Sequence, residues 1–349
     1  MKIALLFDGA SALGARPDLL ILDTVEAIER VLAADEHMVV RVPVHEDARW
    51  VERIRRGKFD LAFNMCEGID GVATMESPVI AVLELLDLPY TGASSWTTAL
   101  CLRKHLTNSV LDRAGLPVPG YGVARRGGAI PAIEFPAICK PAEEDASLGV
   151  EQGSVVRSGR ALRRRLAEMH ERWEDVMVQR FVDGREVNVG IVAGEVLPIA
   201  EIRFDDMPRG KWHIVSYRSK WDTGSDEDRG TVPRCPADLD GPLAKRIRHV
   251  ALDAWRAVGG SGYGRVDLRV DGGGQPWILE VNANPDIAPD AGLARMARVA
   301  GMDYAALIRA VCDEALARQR PLPNGALRWA MSERLSGITV DEGALDALA

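Results

Sequence analysis

The chain has 349 residues, 47% hydrophobic and 27% charged, with 43 Lys and Arg against 51 Asp and Glu for a net charge of −8. These proportions suit a globular protein of two or three domains and exclude a disordered, collagen-like or coiled-coil chain. The acidic balance argues against a nucleic-acid partner, no apolar run approaches the ~20 residues that span a bilayer, and five scattered cysteines (Cys66, Cys101, Cys139, Cys235, Cys312) without Cys-x-x-Cys spacing point to reduced thiols and a cytoplasmic location.

Residues 2–7 form an apolar run ending at Asp8-Gly9, the pattern of a buried strand and a turn. Leu22, Val25, Ile28 and Leu32 recur at helical spacing, and 38–44 reads as a strand. A short strand at 60–63 runs into a loop at 64–71, and an apolar helix is expected over 78–86. This alternation predicts a small open parallel sheet in a first domain, residues 1–95. One helix over 97–114 is expected between two turn-rich stretches, Leu88-Pro-Tyr-Thr-Gly92 and Gly115-Leu-Pro-Val-Pro-Gly120.

Short strands then follow at 137–140, 176–181, 186–192 and 196–202. They divide the rest into a central unit, 96–200, and a C-terminal unit, 201–320. Residues 205–232 are polar and charged; a loop this long inside a domain reads as a lid. A helix at 242–258, a hairpin at 264–282 and a helix at 291–317 complete the pattern, before a weakly helical tail at 321–349 with no assigned task.

The hairpin carries the sharpest chemical signal. Asp271-Gly-Gly-Gly274 is a strong turn between strand-like runs. A four-residue loop would set Val270 opposite Gln275, Asp267 opposite Ile278 and Arg265 opposite Glu280. Side chains alternate along a strand, so Arg265, Asp267, Glu280 and Asn282 would share one face, and Val266, Leu268, Leu279 and Val281 the other. Two carboxylates and a carboxamide are hard-oxygen ligands suited to Mg²⁺. The alternative is a solvated face whose Arg265–Glu280 pair contributes little.

Two further segments have a nucleotide-binding character. Ile138-Cys-Lys140 leads into a polar loop ending Ser147-Leu-Gly149, which could present N–H groups, a hydroxyl and a lysine to phosphate. It matches neither the P-loop nor the dinucleotide fingerprint, and an edge loop with a surface lysine would look alike. Gln179-Arg-Phe-Val-Asp-Gly-Arg-Glu186 offers extended backbone for an adenine edge and Glu186 for ribose hydroxyls. Its alternative is a plain hairpin with Glu186 exposed.

In order and spacing, Glu84-Leu-Leu-Asp-Leu-Pro-Tyr-Thr-Gly92, Arg103-Lys104-His-Leu-Thr107, Leu116-Pro-Val-Pro119, Lys140-Pro141, Ser147-Leu-Gly149, Gly184-Arg-Glu186, Ser219-Lys220-Trp221, Gly264-Arg-Val-Asp267 and Glu280-Val-Asn282 resemble the ATP-grasp superfamily. Within it they resemble the D-alanine–D-alanine ligase group, over residues 60–317. The resemblance implies an α/β chain of the α+β ATP-grasp type, with ATP clamped between two antiparallel sheets. Lys104 and Lys140 would hold phosphates, with Glu144 and Ser147 on the loop that covers them and Lys220, also nucleotide-binding, on the 205–232 lid. The backbone at Arg180, Phe181 and Val182 would meet adenine, with Gln179 also among the nucleotide-binding residues, and Glu186 would meet the ribose. Asp267, Glu280 and Asn282 would bind Mg²⁺, or Mn²⁺ in its place. Arg265, Lys220 and Ser147 would be catalytic, Arg265 by stabilising developing negative charge. In such ligases a carboxylate attacks the γ-phosphate of ATP to give an acylphosphate, which an amine converts to an amide. The implied partners are small-molecule carboxylate and amine substrates and a second copy of the chain, with no nucleic acid or membrane.

The departures from the group concern its substrates. Asp8-Gly-Ala-Ser-Ala-Leu-Gly14 lacks the glutamate that holds the first substrate's amino group there, Ala146 stands for a serine, and Trp221 for a tyrosine. In Pro285-Asp-Ile-Ala-Pro-Asp-Ala291, Asp286 replaces a glycine and Ala291 a serine that grips a substrate carboxylate. The expected activity is therefore ligation of a carboxylate to an amine other than D-alanine. Asp286 or Asp290 would contact a cationic or hydroxylated part of the substrate, and Glu67 is a second candidate. Asp286 could instead cap the following helix. Other readings are a D-alanine–D-alanine ligase with an atypical pocket, a non-catalytic ATP-binding protein, and a nicotinamide-dependent oxidoreductase, for which Gly-x-Gly-x-x-Gly is missing.

Overall fold

The computed structural model describes residues 1–10 and 20–318. Residues 11–14 of the first glycine-containing loop and the 321–349 tail lie outside the described residues. The first unit runs β1 (Lys2–Asp8), α1 (Leu20–Ala34), β2 (Met38–Val44), α2 (Arg49–Gly57) and β3 (Leu61–Asn64), and its parallel sheet has the order β2-β1-β3. Ile3, Leu5 and Phe7 pack with Val25, Ile28 and Leu32 of α1, while Ala4 and Leu6 pack on the other face with Trp50 and Ile54. Burial on both faces explains the unbroken apolar run in β1. The sequence reading omits α2 because its charges hide an i, i+4 apolar pair, Trp50 and Ile54.

Next come α3 (Glu76–Leu85), α4 (Ser95–Leu102) and α5 (Lys104–Arg113). The single helix expected over 97–114 is thus two. The chain leaves helical geometry at Arg103 (φ −86°, ψ 81°), and Ser94 caps α4 by accepting from the Thr97 N–H. The break turns Lys104 toward the site, where its N–H donates to the Ala142 carbonyl at 3.2 Å.

β4 (Tyr121–Arg125), β5 (Ala137–Pro141), β6 (Val155–Val156), α6 (Gly159–Met169) and β7 (Asp175–Arg180) build an antiparallel sheet of order β4-β7-β5-β6 with a helix on it. A second antiparallel sheet holds β8 (Arg185–Val192), β9 (Glu195–Val196), β10 (Ala200–Arg203), β11 (Val232–Arg234), β12 (Tyr263–Val270) and β13 (Pro276–Asn282), in the order β11-β10-β8-β12-β13 with β9 on β8. Because β7 and β8 lie in different sheets, 181–184 crosses between them and the plain-hairpin alternative falls. The expected strand 196–202 is interrupted at Leu197-Pro198-Ile199. The 205–232 stretch carries two short helices, α7 (Tyr217–Trp221) and α8 (Asp226–Arg229), and ends in β11.

α9 (Gly241–Ala257) starts at an Asp240 cap and buries Ile247, Ala251, Ala254 and Trp255 beneath the second sheet. Gly264 lets β12 approach it: a Cβ there would fall 2.3 Å from the Trp255 ring. The expected helix 291–317 divides at Gly301 (φ +85°) into α10 (Gly292–Val299) and α11 (Tyr304–Arg318). Leu293, Met296, Leu307, Ile308 and Val311 of these helices share a core with β1 and α1. No helix among the described residues is long and apolar enough to cross a membrane.

Candidate active site

The two antiparallel sheets enclose a cleft of about 290 Å³. Its floor is the second sheet, and the hairpin register decides which side chains reach it. Val270 pairs with Pro276, Arg269 with Trp277 and Leu268 with Ile278; after a bulge, Asp267 pairs with Glu280, Val266 with Val281 and Arg265 with Asn282. The sequence expectation therefore misses twice. Asp271 accepts from the N–H groups of Gly273 and Gln275, which makes the loop one residue longer than expected, and Leu279 is an additional bulged residue. Two one-residue shifts restore the parity of the faces, so Arg265, Asp267, Glu280 and Asn282 do converge. Leu279, expected in the core layer, instead lines the cleft.

The floor comprises three cross-strand rows: Gly190–Arg265–Asn282, Ala200–Asn188–Asp267–Glu280, and Ile202–Glu186–Arg269–Trp277. Arg265 grips Asp267 with both nitrogens, Nε to Oδ1 at 2.7 Å and Nη2 to Oδ2 at 2.8 Å, and Asn188 Nδ2 donates to the same Oδ1 at 2.7 Å. Burial works against the Arg265 charge, but the Asp267 carboxylate outweighs it and raises the guanidinium pKa. Asp267, Glu280 and the Asn282 carboxamide remain a mixed oxygen set whose chemistry fits a hard divalent ion. No cluster of three His, Cys, Asp or Glu suited to a metal occurs among the described residues, so a metal here requires the carboxamide.

Lys104 Nζ lies 3.6 Å from Asp145 and 4.0 Å from Glu280, and donates to the Glu144 carbonyl. Its burial would lower its pKa; Glu280 and Asp145 more than offset this and keep it cationic. Lys140, on β5, has no carboxylate in ion-pair range among the described residues, and burial lowers its pKa despite the field of Glu280. Lys220, on α7, is exposed and lines the cleft.

The loop above the floor is tied to the lid. Ala146 and Ser147 adopt left-handed backbone (φ 54° and 61°), Ser147 Oγ donates to the Val215 carbonyl at 3.1 Å, and Trp221 Nε1 donates to the Ala146 carbonyl at 3.1 Å. Glu144 accepts from Trp173 Nε1 at 3.0 Å. In the expected adenine segment, the Arg180 and Phe181 N–H groups bond to the carbonyls of Gly120 and Pro136, and the Val182 carbonyl accepts from Arg269. The Gln179 carboxamide is different: it is fully buried, lines the cleft, and neither polar atom has a partner. Ile138, Phe181, Ile214 and Leu279 form apolar lining.

Glu186 is expected at a ribose, yet its Oε2 accepts from Arg269 at 2.8 and 3.1 Å. Arg269, only 3% exposed, also donates to the carbonyls of Val182 and His213. It therefore pins the 181–184 crossing and the lid to the floor. No sequence expectation falls on Arg269, although the alternation that selects Arg265 and Asp267 continues to it.

The substrate candidates lie elsewhere. Glu67, Asp286 and Asp290 are exposed, and none lines the cleft. Asp286 Oδ1 accepts from the Ala288 N–H at 2.9 Å, while the N-cap of α10 is Ala291, so Asp286 does not cap that helix. The carboxylates gather instead around two phenols. Burial and then Glu67, Glu76 and Asp286 raise Tyr263, and burial and then Asp286 and Asp290 raise Tyr304.

A strut overlooked in the sequence joins this corner to the floor. Asn284 donates from Nδ2 to the Cys66 carbonyl (3.1 Å) and to Glu76 (3.0 Å), accepts from the Tyr263 hydroxyl (2.9 Å), and donates its backbone N–H to Asn282 Oδ1 (2.9 Å). Glu76 is 5% exposed, and burial, helped by Asp145, pushes its carboxyl well above the ordinary range. The partners are 218 and 208 residues apart, and no local pattern signals such a contact.

The family model for the D-ala D-ala ligase C-terminus matches residues 111–313. The chain is 31% identical over 316 residues to the D-alanine–D-alanine ligase of Dechloromonas aromatica, covering 89% of this chain and 97% of that one. It is 30% identical over 322 residues to the D-alanine–D-alanine ligase of Syntrophotalea carbinolica, covering 91% and 97%, and 29% identical over 272 residues to an uncharacterized protein of Sinorhizobium fredii, covering 76% and 77%. Among solved structures, the fold matches that of the D-alanine–D-alanine ligase from Bacillus anthracis complexed with ATP, with a TM-score of 0.74 at 21% identity over 91% of this chain and 98% of that one.

Proposed function

The chain belongs to the D-ala D-ala ligase C-terminus family, as an ATP-grasp carboxylate–amine ligase, and from that premise we propose that it joins a small carboxylate to an amine other than D-alanine through an acylphosphate. The observation that carries this reading is the row pattern of the floor, which sets Arg265, Asp267, Glu280 and Asn282 side by side beneath Lys104 and Lys140. This chemistry needs positioning and charge stabilisation rather than a nucleophilic side chain, and the cleft offers cations and oxygen ligands.

In this reading Lys104, Lys140 and Lys220 hold the phosphates of ATP, and the Ala146–Ser147 turn, fastened to the lid through Trp221, covers them. Gln179 meets the adenine base among Ile138, Phe181 and Leu279, and Glu186, which lines the cleft and is oriented by Arg269 through its Oε2, accepts from the ribose hydroxyls. Asp267, Glu280 and Asn282 hold Mg²⁺, whose charge neutralises phosphate oxygens when it is bound. Arg265 is oriented by Asp267 and faces the oxygen on which negative charge develops. The lid keeps water from the acylphosphate until the amine attacks.

A substrate other than D-alanine is supported by Ala146, Trp221 and Ala291 at the departures described above, and by the acidic corner of Glu67, Asp286 and Asp290, which lies outside the cleft and adjoins it at Asp290, whose carbonyl accepts from the cleft-lining Arg295. This acidic corner suits a cationic or hydroxylated group. The test is ADP release with Mg²⁺-ATP and a panel of paired amino acids and small carboxylates. A mixed pair should turn over best, with a product mass equal to both substrates less one water; robust turnover with D-alanine alone would overturn the substrate assignment.

A further inference from the structure

Arg265, Arg269, Lys104 and Arg180 each have a carboxylate within 4.0 Å. Three other cations line the cleft with no carboxylate in that range among the described residues: Lys140, Lys220 and Arg295. The two lysines have work in the reading above. Arg295 has none.

Its position follows from a glycine. Gly190 stands in the floor row of Arg265 and Asn282, and a Cβ there would fall 2.8 Å from Leu293 Cδ1 and 3.0 Å from Met296 Cε. With no side chain at 190, α10 settles onto β8, and Gly292, Arg295 and Met296 become a wall of the cleft that Arg265 also lines. Among the described residues, the Arg295 side chain makes one polar contact, Nη2 donating to the Asp290 carbonyl at 3.0 Å. A carbonyl orients the guanidinium without neutralising it. The adjoining wall from Ala200, Ile202, Pro233 and Met296 is apolar, so an anion bound there would be poorly served by water and well served by a two-pronged guanidinium. Ala291 precedes Arg295 by one helical turn, and its carbonyl accepts the Arg295 N–H at 3.0 Å; no hydroxyl or charge at 291 competes for the same anion.

We propose that Arg295 is a specificity-determining residue that anchors a carboxylate other than the one phosphorylated, so that the preferred substrate is anionic at a second position. The inference rests on the ligase reading, because it places the phosphorylated carboxylate beside Arg265. It assigns opposite tasks to neighbouring parts of the site: Asp286 and Asp290 meet the cationic part of a substrate, and Arg295 its spare carboxylate.

The experiment is calorimetric titration of the full chain, saturated with ADP and Mg²⁺, with glutarate and with valerate, which share a five-carbon skeleton and differ by one carboxylate. The wild type should bind glutarate at least ~10-fold more tightly. Arg295→Gln should bring the two within about 2-fold with ADP affinity unchanged, and Arg295→Lys should retain part of the preference, a rescue that a packing role would not produce. No preference in the wild type, or a preference that survives Arg295→Gln, overturns the proposal. Failure of the wild type to bind ADP would instead bring down the nucleotide-site reading on which it stands.

Discussion

The floor of the cleft and the acidic corner around Tyr263 and Tyr304 are built on opposite terms. On the floor and directly above it, opposite charges are buried or half-buried and paired: Arg265 with Asp267, Arg269 with Glu186, Lys104 with Asp145 and Glu280. In the corner, Glu67, Asp286 and Asp290 are exposed on loops, and their field falls on buried phenols. The floor takes its geometry from strand register, where moving one residue moves a whole row. The corner takes its geometry from loops that can change without disturbing the sheets. Phosphate chemistry shared by many substrates belongs on the former, and substrate choice on the latter.

The contrast can be broken most sharply at Glu280. Glu280→Gln keeps the shape of the floor and removes one charge; phosphate release should fall by at least ~100-fold with the circular dichroism spectrum unchanged. The same change at Asp286 should alter the preferred amine and leave the ATP dependence alone.

Arg269→Met tests whether the floor is held together by its pairs. It leaves the Glu186 carboxylate buried without its partner, and removing one member of such a pair costs about 3–5 kcal/mol. Urea unfolding should show that loss, whereas Asp290→Ala in the corner should shift the midpoint hardly at all.

Gln179→Leu asks whether the unpartnered carboxamide reads the base. A carboxamide presents one acceptor and donors on one edge, complementary to the amino group and N7 of adenine and mismatched to guanine; one such pair is worth ~1–3 kcal/mol. Wild-type protein should favour ATP over GTP by at least ~5-fold in a competition assay. The variant should lose most of that preference and keep its thermal stability.

Glu76→Gln gives the smallest effect and reports on the strut between the two regions. The folded-state pKa of Glu76 lies above the ordinary carboxylate value because of burial. Its contribution to stability is therefore full below the unfolded pKa and falls as pH rises toward the folded one. The neutral carboxamide escapes this loss. Urea midpoints of the two proteins should coincide near pH 4 and separate by pH 8 with the variant the more stable; a constant offset would mean that Glu76 is already charged in the fold.

The floor was largely legible from the sequence because alternation is robust to compensating errors. A loop one residue longer and a bulge at Leu279 shifted the hairpin twice, and the four polar groups still met. Leu279 itself was misplaced for the same reason, since no periodicity marks a bulge. Arg103 breaks the expected 97–114 helix without a proline or glycine, so the turn that directs Lys104 inward left no local trace. Arg269 could have been found by extending the alternation one step. Asn284 and Glu76 could not, because their contact joins segments about 200 residues apart in sequence, at 208 residues of separation.

The most direct test of the central claim is a Mn²⁺ titration, followed by electron paramagnetic resonance, with a non-hydrolysable ATP analogue. The wild type should bind the ion with the nucleotide in a single stoichiometric site. Asp267→Asn and Glu280→Gln should each weaken that site by at least ~10-fold while leaving metal-free nucleotide binding in place. Unchanged ion affinity in both variants would contradict the account, because the floor would then hold no metal and the row of polar groups would be only a charged sheet face.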